Sequence, residues 1–252
     1  MPRRLPETGS TLNQISHVPG LTRHPYQVCE TRGLIITDKP KSIEVALISI
    51  REQRRLLSEY IQNNPFFQHS LEPVKIEEAP QVVKLMTDAA SVAGVGPMAA
   101  VAGVIADLAA EAMLKAGAIV AIVENGGEAA LHSDRPITIS VGAGNNKLSE
   151  KIGFRITSFP IGVATSSGRH SHAFSMGDAD TVTVFASTAG LADAASTAAA
   201  NKVIGEPNED VKAGVETALK VKGVLGALAI RDDRVSMGGT LPKIIAIDKK
   251  DE

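Results

Sequence analysis

The chain has 252 residues, 44% of them apolar, which is enough to build the core of one large domain or two small ones. Lys+Arg 26 against Asp+Glu 28 gives a formal charge of -2, and aromatic content is 3% without Trp. There is thus no basic field to draw in nucleic acid or an acidic membrane, and few platforms on which bases stack. Cys29, the single cysteine, excludes an intramolecular disulfide and a zinc–thiolate cluster and fits a reducing, cytoplasmic compartment.

In chain order, Met1 to Pro25 carries Arg3 and Arg4 with no apolar run behind them. It reads as a loosely ordered arm, not a targeting signal, and leaves residues 26–252 as one continuous domain. Tyr26–Glu30 and Leu34–Thr37, separated by Thr31-Arg32-Gly33, predict a hairpin with Cys29 as a small core residue on its first strand. Ile43–Asn63 repeats apolar residues at helical spacing and ends before Pro65, after which Phe66-Phe67 begins a linker. Gln81–Ala90 predicts a second helix, and Val92 to Pro97 a glycine turn whose proline opens a third helix running to about Lys115. Ala89 to Ala106 carries no charge over 18 positions, yet it is rich in Ala and Gly, contains Pro97 and runs into Asp107. That composition marks a buried helix and no membrane span.

From Ile119 the pattern changes to strands. Ile119–Glu124 is β-branched, Asn125-Gly126 is a tight-turn signal, and Glu128–His132 returns antiparallel. Strands are expected at Ile137–Val141, Gly162–Thr165, Thr181–Phe185, Leu225–Arg231 and Lys243–Ile247, with a turn at Ala143–Asn146. Helices are expected around Asp193 and over Val211–Val221. Hairpins mixed with amphipathic helices argue for an α+β fold.

Several groupings have a chemical reading beside a plainer one. Asp193 and Thr197, four apart on one helix, lie on a shared face and supply two oxygens for a hard cation such as Mg²⁺; the same spacing occurs on solvated helices. Asp107 and Glu111 form either an acid pair or a solvated face. His170 and His172 with Asp178 and Asp180 suit a transition metal or a polar loop. Gly94-x-Gly96-x-x-Ala99 follows a predicted helix where a dinucleotide fingerprint needs a strand.

Taken together in order, Met98 to Asp107, Val123-Glu124-Asn125-Gly126-Gly127-Glu128, Ala164-Thr165-Ser166-Ser167-Gly168 and Ala192-Asp193-Ala194-Ala195-Ser196-Thr197 resemble the ApbE superfamily. The resemblance spans roughly residues 90 to 200 and is strongest to the shorter, functionally uncharacterised branch of that superfamily. It implies a tunnelling-type α+β fold, with antiparallel sheets layered against helices. It also implies the transfer of FMN from FAD to a protein threonine with Mg²⁺, as the transferases perform it. Carried over, Asp193 and Thr197 are the metal positions, joined by a backbone carbonyl near Val101, and Asp107 matches the helix aspartate. Gly126 and Gly127 match the glycine pair beside the ligand. Thr165, Ser166, Ser167 and Gly168 match the Ser/Gly loop that suits phosphate or carboxylate oxygens.

Two departures separate the chain from the transferases. Ala102-Gly103 stands where they carry Lys-Gly, and Arg169 to Asp180 lacks their His-Ile-x-Asp-Pro stretch. A flavin ring also wants an aromatic platform, for which only Phe154, Phe159, Phe174 and Phe185 lie near these motifs. The residues therefore point away from FMN transfer in its usual form. Two classes stay open. One is a Mg²⁺-dependent transferase or hydrolase acting on a flavin, FAD or FMN, or on another nucleotide-like anion. The other is a catalytically silent ligand-binding protein, for which the resemblance carries an association with sulfur assimilation as an accessory. The partner in both is a small anionic molecule, and the oligomeric state is open, a homodimer included.

Overall fold

A computed structural model describes residues 14–16, 18–142, 151–167, 177–206 and 209–247. Its strands are β1 (Gln14–Ile15), β2 (Thr22–Val28), β3 (Thr31–Thr37), β4 (Ala121–Asn125), β5 (Glu128–His132), β6 (Ile137–Ser140), β7 (Ile152–Ile156), β8 (Ile161–Ser166), β9 (Thr181–Ala186), β10 (Val224–Arg231), β11 (Arg234–Gly239) and β12 (Lys243–Ala246). Its helices are α1 (Ser42–Asn63), α2 (Pro65–His69), α3 (Gln81–Ala93), α4 (Val101–Lys115), α5 (Ala189–Ala200) and α6 (Glu209–Lys220), with a tight 3-10 turn at Pro97–Ala100 leading into α4.

Eight strands form one antiparallel sheet in the order β11-β10-β9-β8-β5-β4-β3-β2. Four more, in the order β1-β6-β7-β12, form a second sheet. Period-2 alternation gives each long strand one face toward each neighbouring layer. On β4, Val123 packs with the helices while Ile122 packs with the small sheet. The space between the sheets is filled by Ile137, Ile139, Phe154 and Ile156 from the small sheet against Leu131, Val163, Phe185 and Leu228 from the large one. On the other face, α1 and α4 cover β2 to β5 and α5 and α6 cover β8 to β10, while α3 packs against α1, α4 and α5. The observed architecture is the expected α+β layering.

Pro97–Lys115 is long and apolar enough to cross a membrane, but more than half of it is buried within the protein. Val104, Ile105, Leu108 and Met113 lie in the core beside Ile50, Val83 and Val123. The expected buried helix is what forms.

Some local expectations change. The first hairpin turns at Cys29-Glu30, two residues earlier than predicted, and Thr31-Arg32-Gly33 belongs to β3. Gly33 lacks a side chain because a Cβ there would lie 1.9 Å from the Glu124 carbonyl oxygen, so it is a packing glycine and not a turn glycine. Cys29 is consequently exposed, at φ 53°, and no core residue. Phe66-Phe67 forms α2 before any linker begins. β1 and the first residues of β2 lie within the stretch expected as an arm. The turn expected at Ala143–Asn146 lies outside the described residues.

Candidate functional site

Antiparallel order places the β4–β5 turn, the end of β8 and the start of β9 at one end of the large sheet. Above that end, on the helix face, lie the start of α4, reached by Asn125, and the middle of α5, reached by Ser166, while α5 itself begins further along the sheet, with Thr188 and Ala189 against Gly162. Ala102 and Gly103 of α4, the β4–β5 turn, Ser166 of β8 and Asp193 and Ser196 of α5 meet at that end.

Helices α4 and α5 touch through glycines. A Cβ on Gly103 would lie 2.3 Å from the Ala189 carbonyl oxygen, and one on Gly190 would lie 2.4 Å from Val104 Cγ2. This closeness lets each helix serve the other. Asp193 Oδ2 on α5 accepts from Gly103 N–H on α4 at 3.0 Å, and Ala102 N–H also bonds to the Asp193 carboxylate. In return the Asp107 oxygens on α4 accept from Ala189 and Gly190 N–H on α5, both at 2.9 Å. Free N–H groups at a helix start carry partial positive charge, so a carboxylate there is favourable. Thr188 adds a side-chain cap by accepting from Leu191 N–H at 3.3 Å.

The β4–β5 turn is stitched to the same place. Asn125 Nδ2 donates to the Ala102 carbonyl at 2.9 Å, and Gly127 N–H donates to Glu124 Oε1 at 3.0 Å. Gly126 and Gly127 have φ of 76° and 133°, values that favour glycine and permit a two-residue turn. Gly126 is exposed and Gly127 buried, so the turn forms one wall of the site. Tyr26 donates from its hydroxyl to the Glu124 carbonyl at 3.1 Å, and burial with the Glu124 charge pushes its pKa up.

From β8, Ser166 and Ser196 hydroxyls lie 2.8 Å apart, and Ser196 donates to the Asp193 carbonyl at 2.9 Å. Ser166 is therefore the donor between the two serines and is tied to the helix of Asp193. Thr165 belongs elsewhere. Strand alternation turns it toward the small sheet, where its hydroxyl meets that of Thr183 at 3.0 Å. Ser167 is buried, and Gly168, His170, His172 and Phe174 lie outside the described residues.

Three carboxyls at the site share one electrostatic condition. Burial pushes Asp193 up to about 7, with the Asp107 charge adding to it and the Gly103 and Ala102 amides pulling back. Burial pushes Asp107 up to about 6 against the amides of Gly190 and Ala189. Glu128 is raised well above its ordinary value by burial and by the charges of Asp193 and Glu124. No described Lys or Arg pairs with Asp193, Glu128 or Asp107 among the ion pairs of the described residues. Thr197 is half-buried one turn along from Asp193, and Val101 opens α4.

Other candidates resolve differently. Asp107 is a helix cap, and Glu111 pairs with Lys115 at 2.5 Å, so the two do not act as an acid pair. Asp178 pairs with Arg231 at 3.2 Å, and Asp180 accepts from Asp232 N–H at 2.6 Å. Arg231 also bonds Asp210 at the start of α6, so this cluster fastens β10 to its neighbours. Phe154 and Phe185 stack edge to face at 4.8 Å inside the inter-sheet core and offer no platform. Phe159 lines a shallow cavity of about 430 Å³ with Asp134 and Arg135 at the opposite end of the sheet. Sequence reading places Glu128 and Asn125 only in the turn and does not single out the Glu128 carboxylate or the Asn125 amide. The available signal was a carboxylate directly behind the Gly126-Gly127 turn.

Comparisons with known proteins identify the family and the fold. A family model described as AbpE bacteria matches residues 23–234. A UPF0280 protein of Methanococcus vannielii is 39% identical over 227 residues, covering 88% of this chain and 92% of its own. A UPF0280 protein of Methanosarcina acetivorans is 41% identical over 230 residues, covering 90% of each. Among solved structures, the ApbE protein of Thermotoga maritima superposes with a TM-score of 0.62 at 14% identity, over 88% of this chain and 96% of that one. The flavin transferase ApbE of Vibrio cholerae gives 0.51 at 14% identity, over 87% and 97%. These likenesses fix the fold, and the sequence relatives fix the branch: the chain belongs to the UPF0280 family, an uncharacterised branch of the ApbE-like proteins.

Proposed function

We propose that the protein binds a small anionic, nucleotide-like molecule through a divalent cation, Mg²⁺, held by Asp193, Thr197 and the Val101 carbonyl. The observation that carries this reading is how the two helix starts are used. A helix N-terminus is a ready anion site, but here Asp193 takes the amides of α4 and Asp107 those of α5. A phosphate finds no vacant helix start there and meets carboxylates instead. A hard cation reverses that repulsion, since oxygen donors are what Mg²⁺ selects. The donor set fits the ion: Asp193 has lone pairs beyond those facing Gly103, and Thr197 offers a hydroxyl.

When bound, the cation would supply positive charge to offset phosphate oxygens. The chain's own residues do the rest. Asp107 and the glycine contacts hold α4 against α5, which fixes Asp193 relative to Val101. Ser166 braces the same helix from below through Ser196. Gly126 and Gly127 present backbone with no side chain to a ligand lying on the turn. Titration of Asp193 links cation binding to proton release, because its carboxyl must be ionised to serve a metal.

FMN transfer in the transferases' manner is not part of the proposal. Ala102 offers no cation where a lysine would stand, and Phe154 and Phe185 are locked in the core. The single, exposed cysteine suits a cytoplasmic setting. The test is a titration of the full chain with FAD and with ADP, with and without Mg²⁺, followed by flavin fluorescence and by chromatography for released AMP. Mg²⁺-dependent binding that is lost in Asp193→Ala supports the reading. Equal binding without metal, or none, overturns it.

A further inference from the structure

One carboxyl at the site is left over once the fold is accounted for. Glu124 accepts from Gly127 N–H, Asp107 from Ala189 and Gly190 N–H, and Asp193 from Gly103 N–H. Each of these three closes a turn or caps a helix. Glu128 does neither: among the described residues its carboxyl meets no donor beyond its own N–H and no Lys or Arg. A buried carboxylate in that condition is costly, and buried charges are as a rule paired or bound to a metal.

Register and pleat place this carboxyl at the centre of the site. Glu128 shares its face of β5 with Ala130, which packs with the helices, while Ala129 between them packs with the small sheet. It stands opposite Asn125 on β4 and Ala164 on β8. Asn125 reaches the Ala102 carbonyl at the start of α4. Helix α5 runs along β8, with Ala189 against Gly162 and Ser196 bonded to Ser166, so Asp193 between them lies level with Ala164. From there Asp193 reaches Gly103 on α4, and both helices pack on β5. The polar groups beside Glu128 on that face, the Asn125 amide and the Ser166 hydroxyl, are committed to Ala102 and Ser196. Glu128 Oε2 lies by the turn, 3.8 Å from where a Cβ on Gly126 would stand. The Asp193 charge is among the causes that raise the Glu128 pKa, in keeping with this placement.

We propose that Glu128 is a further protein ligand of the cation at Asp193, Thr197 and Val101, supplying a second carboxylate to it. The inference rests on the cation reading above and deepens it. Mg²⁺ is commonly held by one or two carboxylates together with substrate phosphates, so a second carboxylate suits the ion and leaves octahedral positions for the anion.

The test is Mn²⁺ binding to the full chain in wild type, Glu128→Gln, Asp193→Asn and, as a charge control, Glu111→Gln, with the number of waters on the bound ion read from water proton relaxation. Glu128→Gln is expected to lower the affinity about tenfold or more and, at saturating Mn²⁺, to add one water to the ion. Glu111→Gln, an exposed residue paired with Lys115, should stay within about twofold. Without metal, Glu128→Gln should melt no lower than wild type, since a neutral amide is cheaper to bury than a carboxylate. An unchanged hydration number overturns the proposal even where affinity falls, because a charge acting from a distance adds no water. Affinity equal to wild type in Glu128→Gln, with Asp193→Asn still weakened, overturns it and leaves the cation reading standing. Wild type that binds no Mn²⁺ removes both. A metal-free Glu128→Gln that melts more than about 5 °C below wild type shows the carboxylate holding the fold and overturns the proposal equally.

Discussion

Asp107 and Asp193 each cap the helix that carries the other. Asp107 sits on α4 and holds Ala189 and Gly190 of α5, while Asp193 sits on α5 and holds Gly103 of α4. The candidate metal residue therefore also serves the fold, and its position is set in part by Asp107 through the start of α5.

Removing that positioning residue should be costly. Asp107→Ala leaves two buried amides at the start of α5 without their acceptor, and each such loss costs on the order of 1–3 kcal/mol. Urea denaturation is expected to show a drop of about 2 kcal/mol or more, well above the effect of an ordinary surface change. A loss within about 0.5 kcal/mol would show that the cap does not hold the helix.

The same residue gives stability a pH dependence of definite sign. Asp107 is raised from 3.8 to about 6 by burial, so the folded protein keeps this proton to a higher pH than the unfolded chain does. Folding therefore binds a proton between those values, and the contribution is greatest below the unfolded value and lost as pH rises through about 6. Asp193, raised to about 7, acts in the same sense, while His132, lowered by burial, opposes them. The difference between wild type and Asp107→Asn reads the Asp107 part together with the share of the Asp193 shift that the Asp107 charge causes. The wild-type advantage should shrink as pH rises from about 4 to about 6.5; an advantage that grows contradicts the assignment.

Close helix packing makes a second, opposite prediction to helix propensity. Alanine is favoured over glycine in a helix by about 1 kcal/mol, yet a Cβ at Gly103 meets the Ala189 carbonyl at 2.3 Å. Overpacking of that kind costs about 1–3 kcal/mol or more, so Gly103→Ala should lower the melting temperature. Gly190→Ala should lower it less, because its Cβ meets first a side-chain methyl, Val104 Cγ2. A stabilised Gly103→Ala would refute the helix contact.

The turn can be tested on both fold and binding. Gly127 at φ 133° is strained by any side chain, and Gly127→Ala should cost about 1 kcal/mol or more. Gly126 at φ 76° is exposed, and a Cβ there meets only Glu128 Oε2 at an ordinary contact of 3.8 Å, so Gly126→Asn should be tolerated, because asparagine enters the left-handed region readily. Thermal melts of the two variants check this; equal losses would contradict the turn geometry.

Much of this was readable from residues alone, and the reasons are local ones. α1, α3 and α6 announce themselves by apolar spacing, α4 by Pro97 ahead of it, and β5 by its place behind Asn125-Gly126. β11 was missed because Arg234–Gly239 offers only Val235 and Met237 as apolar residues, and an edge strand needs no more. The first hairpin was misplaced because Gly33 looked like a turn residue, whereas its purpose lies across the sheet at Glu124. Asp193 could be singled out through Thr197 on its own helix. Asp107 could not be recognised as a cap, since its partners lie 82 and 83 residues away. Nor could Thr165 be separated from Ser166 until the pleat of β8 assigned them opposite faces.

The most direct measurement is Mn²⁺ binding, as a spin-active substitute for Mg²⁺, followed by electron paramagnetic resonance in wild type, Asp193→Asn and Thr197→Val. The account predicts one bound ion that Mg²⁺ displaces, with affinity reduced about tenfold or more in Asp193→Asn and less in Thr197→Val, while both variants stay folded. Wild-type protein that binds no Mn²⁺, or Asp193→Asn that binds it as tightly as wild type, would contradict the cation site on which the proposed function rests.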